Sequence, residues 1–430
     1  MMLENRWLIS AELWEVTKSF GFFRASVAVF LVVMGTACSG NETDIGETDH
    51  IQVLEEIPEH IREVENLTVF PGDSDPRYSI QLIPQQTFGE EGEPYLTTVQ
   101  RSAVDDNGRI IILNSNSDYS QSVFVYNDDG TFHTELGRSG RGPGEHGFIF
   151  DVQARGGNVY IRDAMNQRIN IYSSTDYSFE RTMMIEQLPI RDHEAVQGLE
   201  LGLILPRNDG NYLVNFYQRN ADDGWPIHRY MLMDENGNAI GYESSEFRSS
   251  FKARGYTDAE IRMVYMSMPF IGGTVSGYSK YGELYKAWNQ DFLINKYNAK
   301  GEYQSAIYYA IQGSPFELSH HTPTAFYKEN DVLKAIGLHN QSLPETNPVI
   351  SMLMADDENR IWAAVPMYGE PMKYEWWILA PTGELLAKLQ RSREKTIFDI
   401  KDGYLYGKEI DEETGAEYVV KYQMEFREAW

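Results

Sequence analysis

A single cysteine, Cys38, stands in the 430 residues, which excludes an intrachain disulfide and any zinc site built on cysteines. Basic side chains are also scarce. With 37 Lys and Arg against 64 Asp and Glu, the net charge is −27, and the clustered positive charge that a nucleic-acid binder or an anionic-membrane binder needs is missing. The apolar run at 25–37 has 13 residues and no formal charge. As a helix it rises about 20 Å, short of a ~30 Å hydrocarbon core. Neither a G-x-S-x-G nucleophile elbow nor an H-E-x-x-H zinc motif occurs. What remains is 42% hydrophobic, 13% aromatic and contains 35 glycines, enough apolar material for a sizeable core.

The position of Cys38 is informative. Lys18 and Arg24 precede the apolar run, whose length suits a secretory signal, and its end with the next residue reads Gly35-Thr36-Ala37-Cys38. These residues resemble a bacterial lipobox, with Gly35 where Leu, Val or Ile is usual and an n-region long enough for an over-extended start. The resemblance implies a diacylated Cys38 as the mature N-terminus, hence a protein anchored in the cell envelope, with the outer membrane or cell surface favoured over the periplasmic side. Residues 41–65 hold nine acids and one Arg. The expectation is a solvated, self-repelling tether over 39–77, with 1–38 as the signal segment.

Beyond residue 77 a unit recurs. Two short apolar strands flank a tight polar turn six times: 103–113, 151–163, 203–216, 273–288, 351–365 and 398–409. Asp-Asn-Gly, Gly-Gly and Asn-Asp-Gly supply the positive-φ positions that close such hairpins. A third strand follows each pair (VFVYN, INIYS, RYMLM, FLINKY, WWILA, VVKYQM), and in five cases a fourth. The sixth unit runs out of chain, while 78–89 at the front has no partner. The expectation is an all-β, six-bladed propeller over 78–430, closed by that N-terminal strand, because closure leaves no sheet edge open. Seven blades is the competing count if 66–72 opens another. Two long gaps contain expected helical insertions at 257–267 and 322–338, the second with Thr322 as cap and Pro323 at the first helical position.

The segment Gly137-Arg-Ser-Gly-Arg-Gly-Pro-Gly-Glu-His146 and the stretch Asn166-Gln-Arg-Ile-Asn-Ile-Tyr172 resemble the NHL-related six-bladed β-propeller lipoproteins of Bacteroidetes-type bacteria. The resemblance implies a TolB-like propeller and no settled activity, since such propellers include binding scaffolds and enzymes. The glycines of 137–144 lack the Gly-Lys-Ser/Thr and the following helix that a phosphate-binding loop requires.

In an up-and-down propeller, loops from a fourth strand to the next first strand share a face with loops between second and third strands. The first class (88–102, 137–150, 186–202, 244–271, 312–350 and 389–397) carries 13 basic and 16 acidic residues and five of the nine histidines. That face is the expected recognition surface for a peptide, glycan or protein ligand. Its candidate contacts are Arg138, Arg141, Glu145, His146, Arg191, His193, Arg391 and Arg393. Trp225, Tyr368, Trp376 and Trp377 are the aromatic candidates for a glycan. His320-His321 is a poor metal pair, because adjacent side chains seldom point to one ion. No cofactor is expected under this reading. The alternative is a lactonase-like or NHL-type hydrolase or lyase with a divalent metal in the central channel, for which the first strands offer Asp105, Asp151, Asn208 and Asp356.

Overall fold

The computed structural model describes residues 57–428, apart from 91, 93, 219–220, 222, 242–246, 258–259, 322–328 and 370. Cys38 and the apolar run before it lie outside the described residues.

Six antiparallel sheets surround an axis. Blade one consists of Thr98–Val104, Ile110–Ser115, Gln121–Tyr126 and Phe132–Glu135. Blade two repeats the order with Ile149–Arg155, Asn158–Asp163, Arg168–Ser173 and Phe179–Met184. Blade three has three full strands and a two-residue outer one, Phe247–Arg248. Blades four and five start at Thr274–Tyr278 and Met352–Ala355. Blade six contributes Ile397–Lys401, Tyr404–Ile410 and Glu417–Glu428, and its fourth strand is Tyr78–Phe88. Tyr78 pairs with Glu428 and Phe88 with Val419, with an irregularity at Pro84 that accommodates the missing N–H. The ring is therefore closed by pairing the two ends of the propeller.

Short polar turns set the register of each hairpin. Asp105 Oδ1 accepts from Asn107 N at 2.8 Å and Arg109 N at 2.9 Å, and Asp356 Oδ1 does the same for Glu358 and Arg360. Each carboxylate replaces backbone partners that the turn leaves without one. Between blades, apolar faces interlock: Ile111, Leu113 and Val125 of blade one pack with Val152, Val159 and Ile161 of blade two.

Two expectations need correcting. The segment 257–267 is not helical. Phe251–Thr257 and Glu260–Met268 form an antiparallel hairpin, and Ile261, Met263 and Tyr265 recur at the two-residue period of a strand. The second insertion is helical over Glu329–Leu338, while Thr322 and Pro323 lie outside the described residues. The helix's Val332 and Ile336 pack with Phe251, Met268, Phe270 and Leu318, so the two insertions share a small apolar core.

The expected tether is also shorter than its sequence implies. Ile57 and Ile61, the latter in the short helix Glu59–Arg62, are buried against Tyr308. Leu67–Phe70 then adds a fifth, parallel strand to blade four beside Tyr303–Tyr309, and Phe70 stacks on Tyr309 at 4.8 Å. The 66–72 segment is thus an outer strand and not a seventh blade. Composition concealed this because a few apolar residues, spaced among acids, suffice for an edge strand. Among the described residues no helix is long and apolar enough to cross a membrane.

Candidate functional site

Because every blade presents its first strand to the axis, side chains far apart in sequence meet in the channel. A cavity of about 260 Å³ is lined by Arg101 to Ala103, Asp151 to Arg155, Tyr278 and Thr396 to Asp399. These come from the first strands of blades one, two, four and six and the turn before the last. A second, narrower cavity lies toward the turns between first and second strands, among Asp106, Arg155, Asn208, Lys280, Asp357 and Lys401.

The polar groups of the main cavity are held in place. Arg101 Nε lies 3.8 Å from Asp151 Oδ1. Gln153 Nε2 donates to Asp151 Oδ2 at 2.7 Å and reaches the Ile204 carbonyl of blade three at 3.3 Å. Burial pushes the Asp151 carboxyl above its ordinary pKa, opposed by the Gln153 hydrogen bond and the Arg101 charge. Asp399 Oδ2 accepts from Val104 N at 3.2 Å, linking blade six to blade one. Burial also raises the Tyr278 phenol, which stays protonated and can donate. At the narrow end, Lys401 donates to the Asp105 carbonyl at 2.8 Å and to Asp106 at 3.0 Å. The channel therefore offers guanidinium, carboxylate, amide and phenol groups around one small space, the combination that orients a small polar molecule.

Of the four first-strand candidates, Asp151 lines the main cavity, and Asn208 and Asp356 border the narrow one. Asp105 and Asp356 are buried in their own turns: Tyr177 donates to Asp105 at 2.6 Å, and Trp362 Nε1 to Asp356 at 2.9 Å. Among the described residues, no three His, Cys, Asp or Glu side chains are grouped to hold a metal ion.

The loop-face candidates separate into four kinds. His146 and Arg391 are buried and cannot reach a ligand on that face. Tyr172 donates its hydroxyl proton to the Gly144 carbonyl at 2.7 Å, so His146 Nε2 donates to the Tyr172 oxygen, and Nδ1 accepts from Asn170. Burial lowers the His146 pKa to about 4, against the opposing charge of Asp163, and the ring is neutral. A second group staples loops. Glu145 accepts from Gly142 N at 2.7 Å and from Arg138 at 2.8 Å, and His193 caps the short turn Glu194–Val196 through Ala195 N. Arg141 and Arg191 are exposed. Arg393 is the fourth kind: its guanidinium lies 5.0 Å from the ring centres of both Tyr368 and Tyr374. Trp376 and Trp377 are blade-core residues and no glycan platform, whereas Trp225 packs against Phe251 and Trp288. His320 stacks on Tyr368, while His321 meets Asn347 at 2.7 Å.

Sequence reading missed Arg101, Gln153, Arg155, Tyr278 and Asp399. All lie on first strands, at the heights where the inner edges face one another. Aligning the six first strands by their turns is the signal that would have found them.

The family DUF5128, described as a 6-bladed beta-propeller, matches residues 96–256, the first three blades of this ring and the start of the hairpin insertion. No curated protein matches the chain. Solved structures similar to it include a Bacteroides fragilis protein described as exported, at 13% identity and TM-score 0.47, covering 84% of this chain and 99% of that one. Another is the pyrroloquinoline-quinone-bound aldose sugar dehydrogenase of Streptomyces coelicolor, at 14% identity and TM-score 0.41, covering 82% and 100%. A third is the calcium-binding protein regucalcin of Agrobacterium tumefaciens, at 9% identity and TM-score 0.36, covering 83% and 96%.

Proposed function

We propose that this protein is a lipid-anchored envelope propeller that binds a small polar ligand in its axial channel. The observation that carries the reading is the meeting of Arg101, Asp151, Gln153, Arg155, Tyr278 and Asp399 around a cavity of about 260 Å³. That space suits a molecule the size of an amino acid or a monosaccharide. The paired guanidinium and carboxylate groups favour one that carries an acid together with an amine or hydroxyls. The channel takes over the ligand-binding role expected of the loop face, because several loop-face candidates are occupied in holding the structure together. The alternative, a hydrolase or lyase using a channel metal, has no ligand set among the described residues.

The address rests on Cys38 and the apolar run before it. Eighteen residues lie between Cys38 and Ile57, the first buried residue described, and extended they would reach about 60 Å, so the propeller would stand clear of its membrane. Radiolabelled palmitate should enter the full-length protein expressed in a bacterial host and not the Cys38→Ser variant. Equal labelling would remove the anchor.

The channel is tested by thermal shift against a panel of free amino acids, sugar acids and monosaccharides. A ligand at a hundred times its dissociation constant stabilises the protein by about 2.7 kcal/mol. At least one panel member should raise the melting temperature of the native protein and leave Asp151→Asn and Arg155→Ala unmoved. A flat response to the whole panel, or a shift that survives both substitutions, would sink the channel reading.

A further inference from the structure

The hairpin between the second and third strands of blade one, Asn116-Ser-Asp-Tyr-Ser120, has the same bonding as the next turn, Asn127-Asp-Asp-Gly-Thr131. In the first, Asn116 N donates to the Ser120 carbonyl at 2.8 Å and Tyr119 N to the Asn116 carbonyl at 2.9 Å. In the second, the matching bonds from Asn127 and Gly130 measure 2.8 and 2.9 Å. The Asp118 and Asp129 carboxylates accept from Ser120 and Thr131 in the same way. The fourth position is left-handed in both, with φ of 65° at Tyr119 and 84° at Gly130. Glycine takes that conformation freely, whereas a tyrosine is strained there.

A third turn shows when a tyrosine in this conformation has a structural reason. Tyr177, in Asp176-Tyr-Ser178, has φ of 58°, but it is buried and donates to Asp105 at 2.6 Å. Tyr119 has no such return, being 87% exposed. Its strained backbone holds an aromatic ring out in solvent.

Other apolar side chains are exposed near this hairpin. Two residues on, Gln121 grips Ile149 in both directions, accepting from its N at 2.7 Å and donating to its carbonyl at 3.0 Å. That bond sets Phe148 and Phe150, each nearly half exposed, beside the Tyr119 hairpin. Met165, 64% exposed, borders Gly147 so closely that a Cβ there would sit 2.9 Å from its Sδ. Arg162 lies over the Phe150 ring at 5.1 Å, Arg101 borders the same strand beside Asp151, and Arg138 and Arg141 stand on the loop just before it. With the buried Arg168–Asp163 pair beside Phe148, five guanidinium groups thus meet four carboxylates, Asp118, Glu145, Asp151 and Asp163, on a chain whose net charge is −27. Tyr, Phe, Met and Arg are the residues enriched in protein–protein interfaces, and an exposed apolar group of this kind on a rigid scaffold marks a contact surface.

We infer that the Tyr119–Phe148–Phe150–Met165 patch is a docking surface for a protein segment that presents apolar side chains flanked by carboxylates, with Tyr119 as its anchor. The apolar side chains cover the rings and methionine, and the flanking acids meet Arg138, Arg141 and Arg162. The patch shares Arg101 and Asp151 with the wall of the channel, but Tyr119, Phe148 and Met165 lie outside that wall, and the inference does not rest on the channel ligand proposed above.

Selection of a phage-displayed library of random dodecapeptides on the immobilised full-length protein tests this. Enriched peptides should combine aliphatic or aromatic residues with Asp or Glu, and should bind Tyr119→Gly at least about ten-fold more weakly, the loss expected of an interface anchor. The same variant should melt no lower than the native protein, since Gly130 shows that glycine fits the turn. Phe150→Ser with Met165→Ser should weaken the same peptides through the second half of the patch. The inference is overturned if no peptide is enriched, if enriched peptides bind Tyr119→Gly unchanged, or if that variant unfolds early. It is equally overturned if Tyr119→Gly instead abolishes binding on a glycan array or abolishes self-association.

Discussion

The Arg391 guanidinium donates from Nη2 to Glu409 Oε1 at 2.8 Å, with both side chains less than a tenth exposed, and so bolts blade five to blade six. Arg391 also donates to the carbonyls of Lys395 and Lys408, and Glu409 receives Lys395 and the Tyr422 hydroxyl at 2.6 Å each. Burial alone would raise the Glu409 pKa, but Lys395, Tyr422 and Arg391 together hold it below the ordinary value. Arg391→Met should cost about 3–5 kcal/mol in urea unfolding, because it strips a buried carboxylate of a partner. Arg391→Met with Glu409→Leu should recover part of that loss. A single substitution without effect would show the seam to be held by something else.

The N-terminal segment gives a second test. A chain starting at residue 56 should be as stable as one starting at Cys38. One starting at residue 72, which keeps the closing strand, should be at least about 3 kcal/mol weaker, from the burial of Ile57 and Ile61 alone. Equal stability of the two truncations would return 57–71 to the tether.

Closure of the ring can be locked covalently. Ser79 and Arg427 are opposite partners in the closing pair, and with Cys38→Ala no other thiol interferes. Ser79→Cys with Arg427→Cys should oxidise readily and raise stability by about 2–4 kcal/mol. Failure of the pair to cross-link under mild oxidant would place 78–88 elsewhere.

The pH dependence follows from His146. Its folded-state pKa is lowered from 6.5 to about 4 by burial, so the unfolded chain takes up the proton first. The stability that the neutral ring contributes is fully present above pH 6.5 and is lost as the pH falls toward 4, at about 1.4 kcal/mol per pH unit within that window. His146→Gln should flatten this part of the stability curve, measured by denaturant titration at several pH values. An unchanged slope would mean the ring is not buried as described.

Asp151 has the opposite sign. Its raised pKa means that its favourable contribution exists below the unfolded value near 3.8 and disappears as the pH rises through the folded one. Asp151→Asn should therefore stabilise the empty protein more at pH 7 than at pH 4. A stabilisation independent of pH would assign the effect to packing and not to charge.

Much of this architecture was legible because propeller hairpins are local. Asp105-Asp-Asn-Gly108 and Asn127-Asp-Asp-Gly130 mark turns wherever they occur, since positive φ and side-chain-to-backbone bonds are decided within a few residues. The closing strand was legible by elimination, as 78–89 was an apolar strand without a neighbour. The segment 257–267, part of the hairpin at 251–268, reads as a helix because a short apolar run satisfies both periodicities. The buried roles of His146 and Arg391 were hidden for a different reason. A loop position in sequence does not say whether the loop folds over its own side chain.

The sequence by itself determined the repeating unit, its strand order and how the ring closes, because each depends on alternation and turn chemistry that neighbouring residues supply. Only the tertiary structure decided which side chains meet. Arg101, Asp151, Tyr278 and Asp399 are brought to one cavity by the curvature of six packed sheets, and Ile57 finds Tyr308 across about 250 residues of chain. Such meetings depend on blade angle and strand height, which are set by the summed packing of every blade and are written in no single segment.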